Sequence, residues 1–129
     1  VADAAYGTPR RLAANLDQAR LAMILAVLER RAGMHLGGMD VYASVAGGLR
    51  VVEPGADLGI ALAIASAFRN RALGPRTVAF GEIGLSGEVR RVSQASRRLA
   101  EARKLGFDEA IAYETGARDL SGALARAFA

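Results

Sequence analysis

The sequence has no cysteine, no tryptophan and a single histidine. Without cysteine the chain can form neither a disulfide nor a thiolate metal site, and a zinc site with one histidine would need carboxylates for its other ligands. We therefore predict no metal site and no bound cofactor within these 129 residues.

Long hydrophobic runs are also missing. The longest apolar segments, LAMILAVL and IALAIASAF, fall well short of the roughly 18 residues that span a bilayer, and no basic-then-apolar signal peptide opens the chain. We expect a cytoplasmic protein without membrane contact.

Lysine is scarce. Lys104 is the one lysine among the 17 basic residues, and the other 16 are arginines. Against 13 acidic residues the net charge is +4, and a basic, arginine-rich chain suits a polyanion partner such as DNA. A high-GC genome, which favours arginine over lysine, is the alternative explanation of the arginine content.

The remaining composition is that of an ordinary globular domain, with 52% hydrophobic and 23% charged residues. The length predicts one domain with a single core, spanning residues 1–129. Residues 1–9 show no periodicity and the chain starts without methionine, so we expect a fragment of a longer protein.

Hydrophobic spacing in the first half of the chain predicts a helix over Leu16–Arg31, preceded by an extended segment in RRLAANLD. Asp17 is the predicted N-cap and Gly33 the stop of this helix. Alternation in DVYASVAGG predicts a half-buried strand. The segment LRVVE follows the Gly47-Gly48 turn and is the predicted hairpin partner of that strand.

The second half continues with Asp57–Arg71, which is apolar on most faces and predicts a central buried helix. TVAFGEIG and EVRRV predict a strand pair around residues 84–87, and SQASRRLAEARKLG predicts an amphipathic helix closed by Gly106. EAIAY predicts a strand and ARDLSGALARAF a terminal helix. This order of elements indicates an α+β domain.

Three segments carry a family resemblance. GADLGIALAIAS, FGEIGLSGEVRRV and RRLAEARKLGFDEAI are similar in order and spacing to the proteolytic domain of Lon. From Tyr6 to about Tyr113 the chain resembles more closely the C-terminal Lon-like domain of the bacterial RadA (Sms) family of DNA repair proteins. The resemblance implies a Lon proteolytic domain-like (ribosomal protein S5 domain 2-like) fold, a mixed sheet with packed helices.

Active Lon-type domains use a serine nucleophile and a lysine base within hydrogen-bond reach of each other. Aligning ADLGIALA and GEIGLSGEV with the protease motifs places Asp57 at the serine position and Ser96 at the lysine position. Lys104 follows Ser96 by about two helical turns, roughly 12 Å, so it is a poor replacement. A structural role explains Asp57, which could cap the N-terminus of its helix and favour the helix dipole.

The resemblance also implies parts that this sequence does not carry. RadA-type proteins have a zinc finger and a RecA-like ATPase upstream, act as hexameric ring motors in branch migration during DNA recombination, and work with a recombinase. ATP, Mg and Zn are therefore expected in those upstream domains. Lys104 follows Arg103 without a glycine-rich approach, so no P-loop is present here.

Paired arginines are the candidate DNA contacts, because several cations on one face can follow a phosphate backbone. A solvated rim or salt bridges between subunits are the alternatives. Arg30 and Arg31 form one further pair. The DNA-binding candidates are Arg10, Arg11, Arg90, Arg91, Arg97 and Arg98.

Other polar residues give weaker signals. His35 has no partner at a catalytic spacing, so a surface or packing role is expected. Glu82 and Glu88 flank the predicted turn, where solvation or salt bridges to Arg90 and Arg91 are favoured over acid-base chemistry. Phe68 and Phe80 lie in apolar segments, are expected in the core, and leave few aromatic platforms for reading single strands.

Three functions remain open at this point. The first is a non-catalytic, DNA-binding, ring-forming domain of a RadA-type motor, in effect a pseudo-protease. The second is a purely structural oligomerisation module, and the third is a Ser/Lys-type peptidase with a rearranged site. The residues at the two dyad positions argue against the third, and a basic face is compatible with either of the others.

Overall fold

The computed structural model describes residues 1–3, 8–46, 50–51 and 53–129. The 3₁₀ helices Pro54–Ala56 and Tyr113–Thr115 join some of the main elements. Every helix among the described residues is too short or too polar to span a bilayer. The strands and helices are β1 (Ala2–Asp3), β2 (Arg11–Ala14), α1 (Gln18–Ala32), β3 (Met39–Ser44), α2 (Asp57–Arg69), β4 (Thr77–Ala79), β5 (Glu82–Ile83), β6 (Val89–Arg90), α3 (Ala95–Lys104), β7 (Glu109–Ile111) and α4 (Leu120–Ala127).

The predicted cap at Asp17 and stop at Gly33 are confirmed for α1, which spans Gln18–Ala32 rather than Leu16–Arg31. The Asp17 carboxylate accepts a hydrogen bond from the Arg20 backbone N–H, which satisfies one of the free donors of the first turn. Gly33 then adopts φ +67°, and its N–H donates to the Leu28 carbonyl. A glycine reaches this left-handed conformation without steric cost and therefore closes the helix.

The first sheet has the strand order β1-β3-β2, with β3 antiparallel to β1 and parallel to β2. Helix α1 is the crossover that a parallel pair requires. The prediction that LRVVE is the hairpin partner of β3 is wrong, because β1 and β2 already pair with β3 and Val51 forms an isolated parallel bridge with Leu16. The predicted turn at Gly47-Gly48 lies outside the described residues.

The predicted second strand pair is confirmed only in part. β5 and β6 form the antiparallel pair, with Glu82 opposite Arg90. β4 instead pairs with β7 in parallel, across α3. The chain changes direction at Gly81, where φ is +155° and an added Cβ would lie 2.9 Å from Val89 Cγ1. TVAFGEIG is therefore two strands of two sheets rather than one strand.

The core lies between α1, α2 and α4. Leu21 and Leu28 of α1, Leu58 and Leu62 of α2 and Leu120 of α4 are almost completely buried. Each buried leucine contributes about 2 kcal/mol relative to an exposed one. The prediction of a central helix buried on most faces is confirmed for α2, although this helix ends at Arg69 and not at residue 71.

Candidate functional site

Asp57 begins α2 and is completely buried. It does not cap the helix, so the predicted capping role is wrong: the residue at the cap position is Ala56, and the Leu58 N–H donates to the Gly81 carbonyl at 3.0 Å. The carboxylate still lies in the first turn, where the positive end of the helix dipole favours a negative charge.

Arg20 of α1 is the partner of Asp57. Its Nε lies 2.5 Å from Oδ1 and its Nη2 lies 2.7 Å from Oδ2, which is a bidentate contact. The Ile83 backbone N–H also donates to Oδ2, at 3.1 Å. A guanidinium matches a carboxylate in this fork geometry, so α1, α2 and β5 are joined through one side chain.

Glu82 completes this cluster, with its Oε1 at 3.8 Å from Arg20 Nη2. The hydrogen bond to Asp57 raises the pKa of the Arg20 guanidinium above its usual value, and the nearby carboxylates act in the same direction against the opposing effect of burial. Both Asp57 oxygens accept hydrogen bonds and neither faces solvent. A substrate could reach this carboxylate only if the contact opened.

Ser96, the second predicted dyad position, lies in the first turn of α3 and is exposed. Lys104 is the last residue of the same helix and is also exposed. The two degenerate positions thus differ in environment, since one is an interior carboxylate with a fixed partner and the other is a surface hydroxyl.

An open groove of about 840 Å³ lies between α3 and β4, with Arg97 and Arg98 in its lining. Arg98 forms an ion pair with Glu53, donates to the Ser93 carbonyl at 3.1 Å, and lies 5.8 Å from the centre of the Phe80 ring. Arg97 makes one side-chain hydrogen bond among the described residues, to Gln94 Oε1 at 3.3 Å. Adjacent arginines in the chain therefore differ in how firmly they are held.

Glu88 organises the turn between β5 and β6. Its carboxylate accepts from the Ser86 N–H at 3.1 Å and from Arg90 Nη2 at 3.2 Å. Hydrogen bonding by backbone N–H groups, its own first, and by Arg90 lowers the pKa of the Glu88 carboxyl from the usual 4.5. The expected salt bridge thus forms for Glu88, whereas Glu82 contacts Arg20 rather than Arg90 or Arg91.

Arg91 and Arg118 lie against one aromatic ring. Their guanidinium carbons are 4.7 and 3.9 Å from the centre of the Tyr113 ring. Among the described residues, no carboxylate lies within 4.0 Å of either guanidinium. The ring restricts both arginines while leaving their N–H donors available, and we call this set the Arg–Tyr stack.

The other predicted DNA contacts have different environments. Arg10 is exposed, and its backbone N–H donates to Asp40 at 2.6 Å. Arg11 is half-buried and donates to the Leu36 carbonyl at 2.7 Å, with Nη1 enclosed and unpaired among the described residues. Arg11 therefore points into the protein. His35 is exposed between two buried neighbours, in agreement with the surface role expected for it.

Arg20, Tyr113 and Arg118 are site residues that the sequence did not indicate. Arg20 lies 37 positions from Asp57, and no local spacing links them. Arg118 reaches the β5–β6 hairpin because the Val89 N–H donates to its carbonyl at 2.9 Å. Only the pairing of distant segments brings these side chains together. Within the part of the chain that the structure describes, no group of three or more His, Cys, Asp or Glu residues could hold a metal ion.

Comparisons with known proteins give consistent matches. The family model for subunit ChlI of Mg-chelatase matches residues 39–115. The DNA repair protein RadA of Halalkalibacterium halodurans is 51% identical over 111 residues, that of Brucella abortus 54% over 110 residues, and that of Bacillus subtilis 45% over 111 residues. These alignments cover 85 to 86% of this chain and 24% of each relative, so the chain spans about a quarter of their length.

Proposed function

This chain belongs to the family that the ChlI model describes and to the RadA-type DNA repair proteins, and from this premise we propose that it is a non-catalytic domain of a DNA repair motor. In this proposal it takes the Lon-like fold, assembles into a ring and binds DNA without regard to sequence. The mixed helix and sheet architecture, with its two parallel strand pairs, supports the fold assignment.

The environment of Asp57 carries the non-catalytic part of the proposal. A nucleophile must be accessible and must have a base beside it. The side chain at this position is a buried carboxylate bound at both oxygens by Arg20. Ser96 offers a hydroxyl where an amine would be needed. The dyad chemistry is therefore replaced by an ion pair that serves the fold.

The Arg–Tyr stack supports the DNA-binding part. Arg91 of the stack follows Arg90 in the chain, and neither guanidinium of the stack has a carboxylate within 4.0 Å among the described residues. Cations of this kind bind phosphates of any sequence. Arg97 and Arg10 are further exposed candidates. We give Arg11 a lower place because its guanidinium points inward, and Arg98 because Glu53 already balances its charge.

Ring assembly is the remaining part of the proposal, with a hexamer as the expected state and with the zinc finger, ATPase and recombinase contacts supplied by the rest of the motor. Leu85 is 76% exposed and Leu105 is 68% exposed, and we take these two apolar side chains as the candidate contacts with a neighbouring subunit. A purely structural oligomerisation role is the second candidate, and the same two leucines support it.

A peptide-hydrolysis assay tests the absence of catalysis. We expect no turnover of fluorogenic peptides by the chain or by a Lys104→Ala variant. Turnover by the parent chain that disappears with Lys104→Ala would show that a rearranged dyad exists.

Gel shifts on two unrelated duplexes, each at two salt concentrations, test DNA binding. We expect equal affinity for both duplexes. Arg91→Ala or Arg118→Ala should weaken binding about fivefold and reduce the salt slope by about 0.9 for each lost phosphate contact. Arg76→Ala, which also removes one charge but from a pair with Asp108, is the matched control. A mass measurement in solution, with Leu85→Ser and Leu105→Ser beside the parent, separates assembly from DNA binding.

A further inference from the structure

A second basic feature lies on other elements. An open pocket of about 350 Å³ lies at the junction of the C-terminal ends of α1 and α2 with α4. Arg31 comes from the first of these helices, Arg69 and Arg71 from the end of the second, and Ser121 and Phe128 from the third. None of the residues lining the cavity is acidic. We call it the Phe128 pocket.

Three arginines line this pocket without a counter-ion. Among the described residues, no carboxylate lies within 4.0 Å of any of the three guanidiniums. Arg31 and Arg69 lie in last turns of helices, where the dipole favours a cation. Arg71 lies beyond the end of α2, so a helix dipole does not account for its place beside the pocket.

The Phe128 ring orders two of the three arginines. The guanidinium carbons of Arg69 and Arg71 lie 5.2 and 5.8 Å from the centre of the Phe128 ring, which is itself 8% exposed. Stacking on a fixed ring restricts the rotamers of both side chains and leaves their N–H groups free at the edges. The Ser121 hydroxyl of α4 donates to the Arg31 carbonyl at 3.5 Å and so links α4 to the end of α1 beside the pocket.

We infer that the Phe128 pocket binds a phosphate group. A guanidinium presents paired donors that match two oxygens of a phosphate, and three of them around one cavity can neutralise a dianion. The phosphate could belong to a DNA backbone or to a free phosphate compound, since both present the same tetrahedral oxyanion. The pocket shares no residue with the Arg–Tyr stack, so it goes beyond the proposed DNA face.

Titration with inorganic phosphate tests the pocket directly. The readout is the NMR signals of the arginine Nε–Hε groups, with chloride at equal ionic strength as the reference. We expect saturable shifts of the Arg69 and Arg71 signals, an unchanged Arg76 signal, and loss of the Arg69 shift in Arg71→Ala. Equal, unsaturated shifts of all exposed arginines would overturn the inference.

Duplex binding by the same variants identifies the source of the phosphate. If the source is DNA, Arg69→Ala and Arg71→Ala should each weaken duplex binding about fivefold more than Arg76→Ala and lower the salt slope by about 0.9. If phosphate saturates the pocket while duplex binding is unaffected, the ligand is a free phosphate compound. Failure of the parent chain to bind any duplex would count against the proposed function. The phosphate titration would still decide, independently, whether the pocket binds phosphate.

Discussion

The Asp57 cluster, formed by Arg20, Asp57 and Glu82, and the Phe128 pocket both contain arginines near the ends of helices. The arginine charge is balanced by carboxylates in the cluster and has no carboxylate partner in the pocket. In the cluster, one guanidinium is held by two carboxylates, of Asp57 and Glu82. In the pocket, Arg31, Arg69 and Arg71 line one cavity with no acidic residue. The same side chain is therefore a structural tie in the first region and an available donor in the second.

The difference shows how to separate structural from functional arginines in a chain that has many. Leaving a buried charge without its partner costs several kcal/mol, so an interior arginine with a carboxylate is needed by the fold. An exposed guanidinium without a carboxylate contributes little to folding and can use its donors on a ligand. Pairing, rather than position in the sequence, is the criterion.

The largest expected effect follows removal of Arg20. Arg20→Ala leaves the buried Asp57 carboxylate without its cation, and we expect the free energy of unfolding to fall by about 3 kcal/mol. Urea denaturation measures this change. Arg76→Ala, in an exposed pair, should change stability by less than about 0.5 kcal/mol.

The double variant Arg20→Met with Asp57→Leu removes both charges and provides the internal check. Because it leaves no unpaired buried ion, it should recover most of the lost stability. An Arg20→Ala variant as stable as Arg76→Ala would mean that the cluster is not a structural tie.

Arg98 and Arg97 test the same rule at the surface. Arg98→Ala loses the ion pair with Glu53 and the contact with Phe80, so we expect a loss of about 1 kcal/mol in unfolding free energy. Arg97→Ala should cost less than about 0.5 kcal/mol and should weaken duplex binding more than Arg98→Ala. Thermal or urea unfolding beside gel shifts gives both readouts, and the reverse order in both would contradict the criterion.

A carboxylate placed in the Phe128 pocket should remove the difference between its arginines and the paired arginine of the Asp57 cluster. Ser121→Glu supplies the missing counter-ion, so we expect stability to rise by about 0.5 kcal/mol and phosphate binding to be lost. The new carboxylate also lies near the start of α4, where the dipole alone favours it. Repeating the substitution in an Arg69→Ala/Arg71→Ala background isolates the contribution of the pocket, because only that part of the gain should disappear.

The smallest effect concerns the exposed pair of Glu88 and Arg90. The folded-state pKa of Glu88 lies below the usual 4.5, so its contribution to stability is present above that value and is lost as the pH falls through the folded pKa. Between about pH 6 and about pH 3, the free energy of unfolding in urea should fall slightly more steeply for the parent chain than for Glu88→Gln. Identical pH curves would show that the turn does not depend on this carboxylate.

Local chemistry made much of the fold predictable. The cap at Asp17, the stop at Gly33, the buried face of α2 and the alternation of β3 all depend on residues close together in the chain. The positions of Asp57 and Ser96 in a degenerate dyad came from the family resemblance, because no spacing or composition indicates a former active site.

Non-local pairing accounts for what the sequence did not predict. The dipeptide Gly47-Gly48 suggested a hairpin, whereas β3 pairs with strands from earlier in the chain. Asp57 suggested a helix cap because it stands at the start of a helix in the sequence. Its actual partner, Arg20, lies 37 positions away on another helix. The Phe128 pocket combines the C-terminal ends of α1 and α2 with the length of α4, and no local sequence pattern indicates that these segments meet.

The two parallel strand pairs also have a kinetic consequence. Helix α1 lies between β2 and β3 in the chain, and the β5–β6 hairpin and α3 lie between β4 and β7. Each closure orders a long loop before its ladder forms, so folding should be slower than that of a helical bundle of the same length. The stretch from β4 to β7 carries its own hairpin, and this local structure shortens the effective loop that the second closure must bring together.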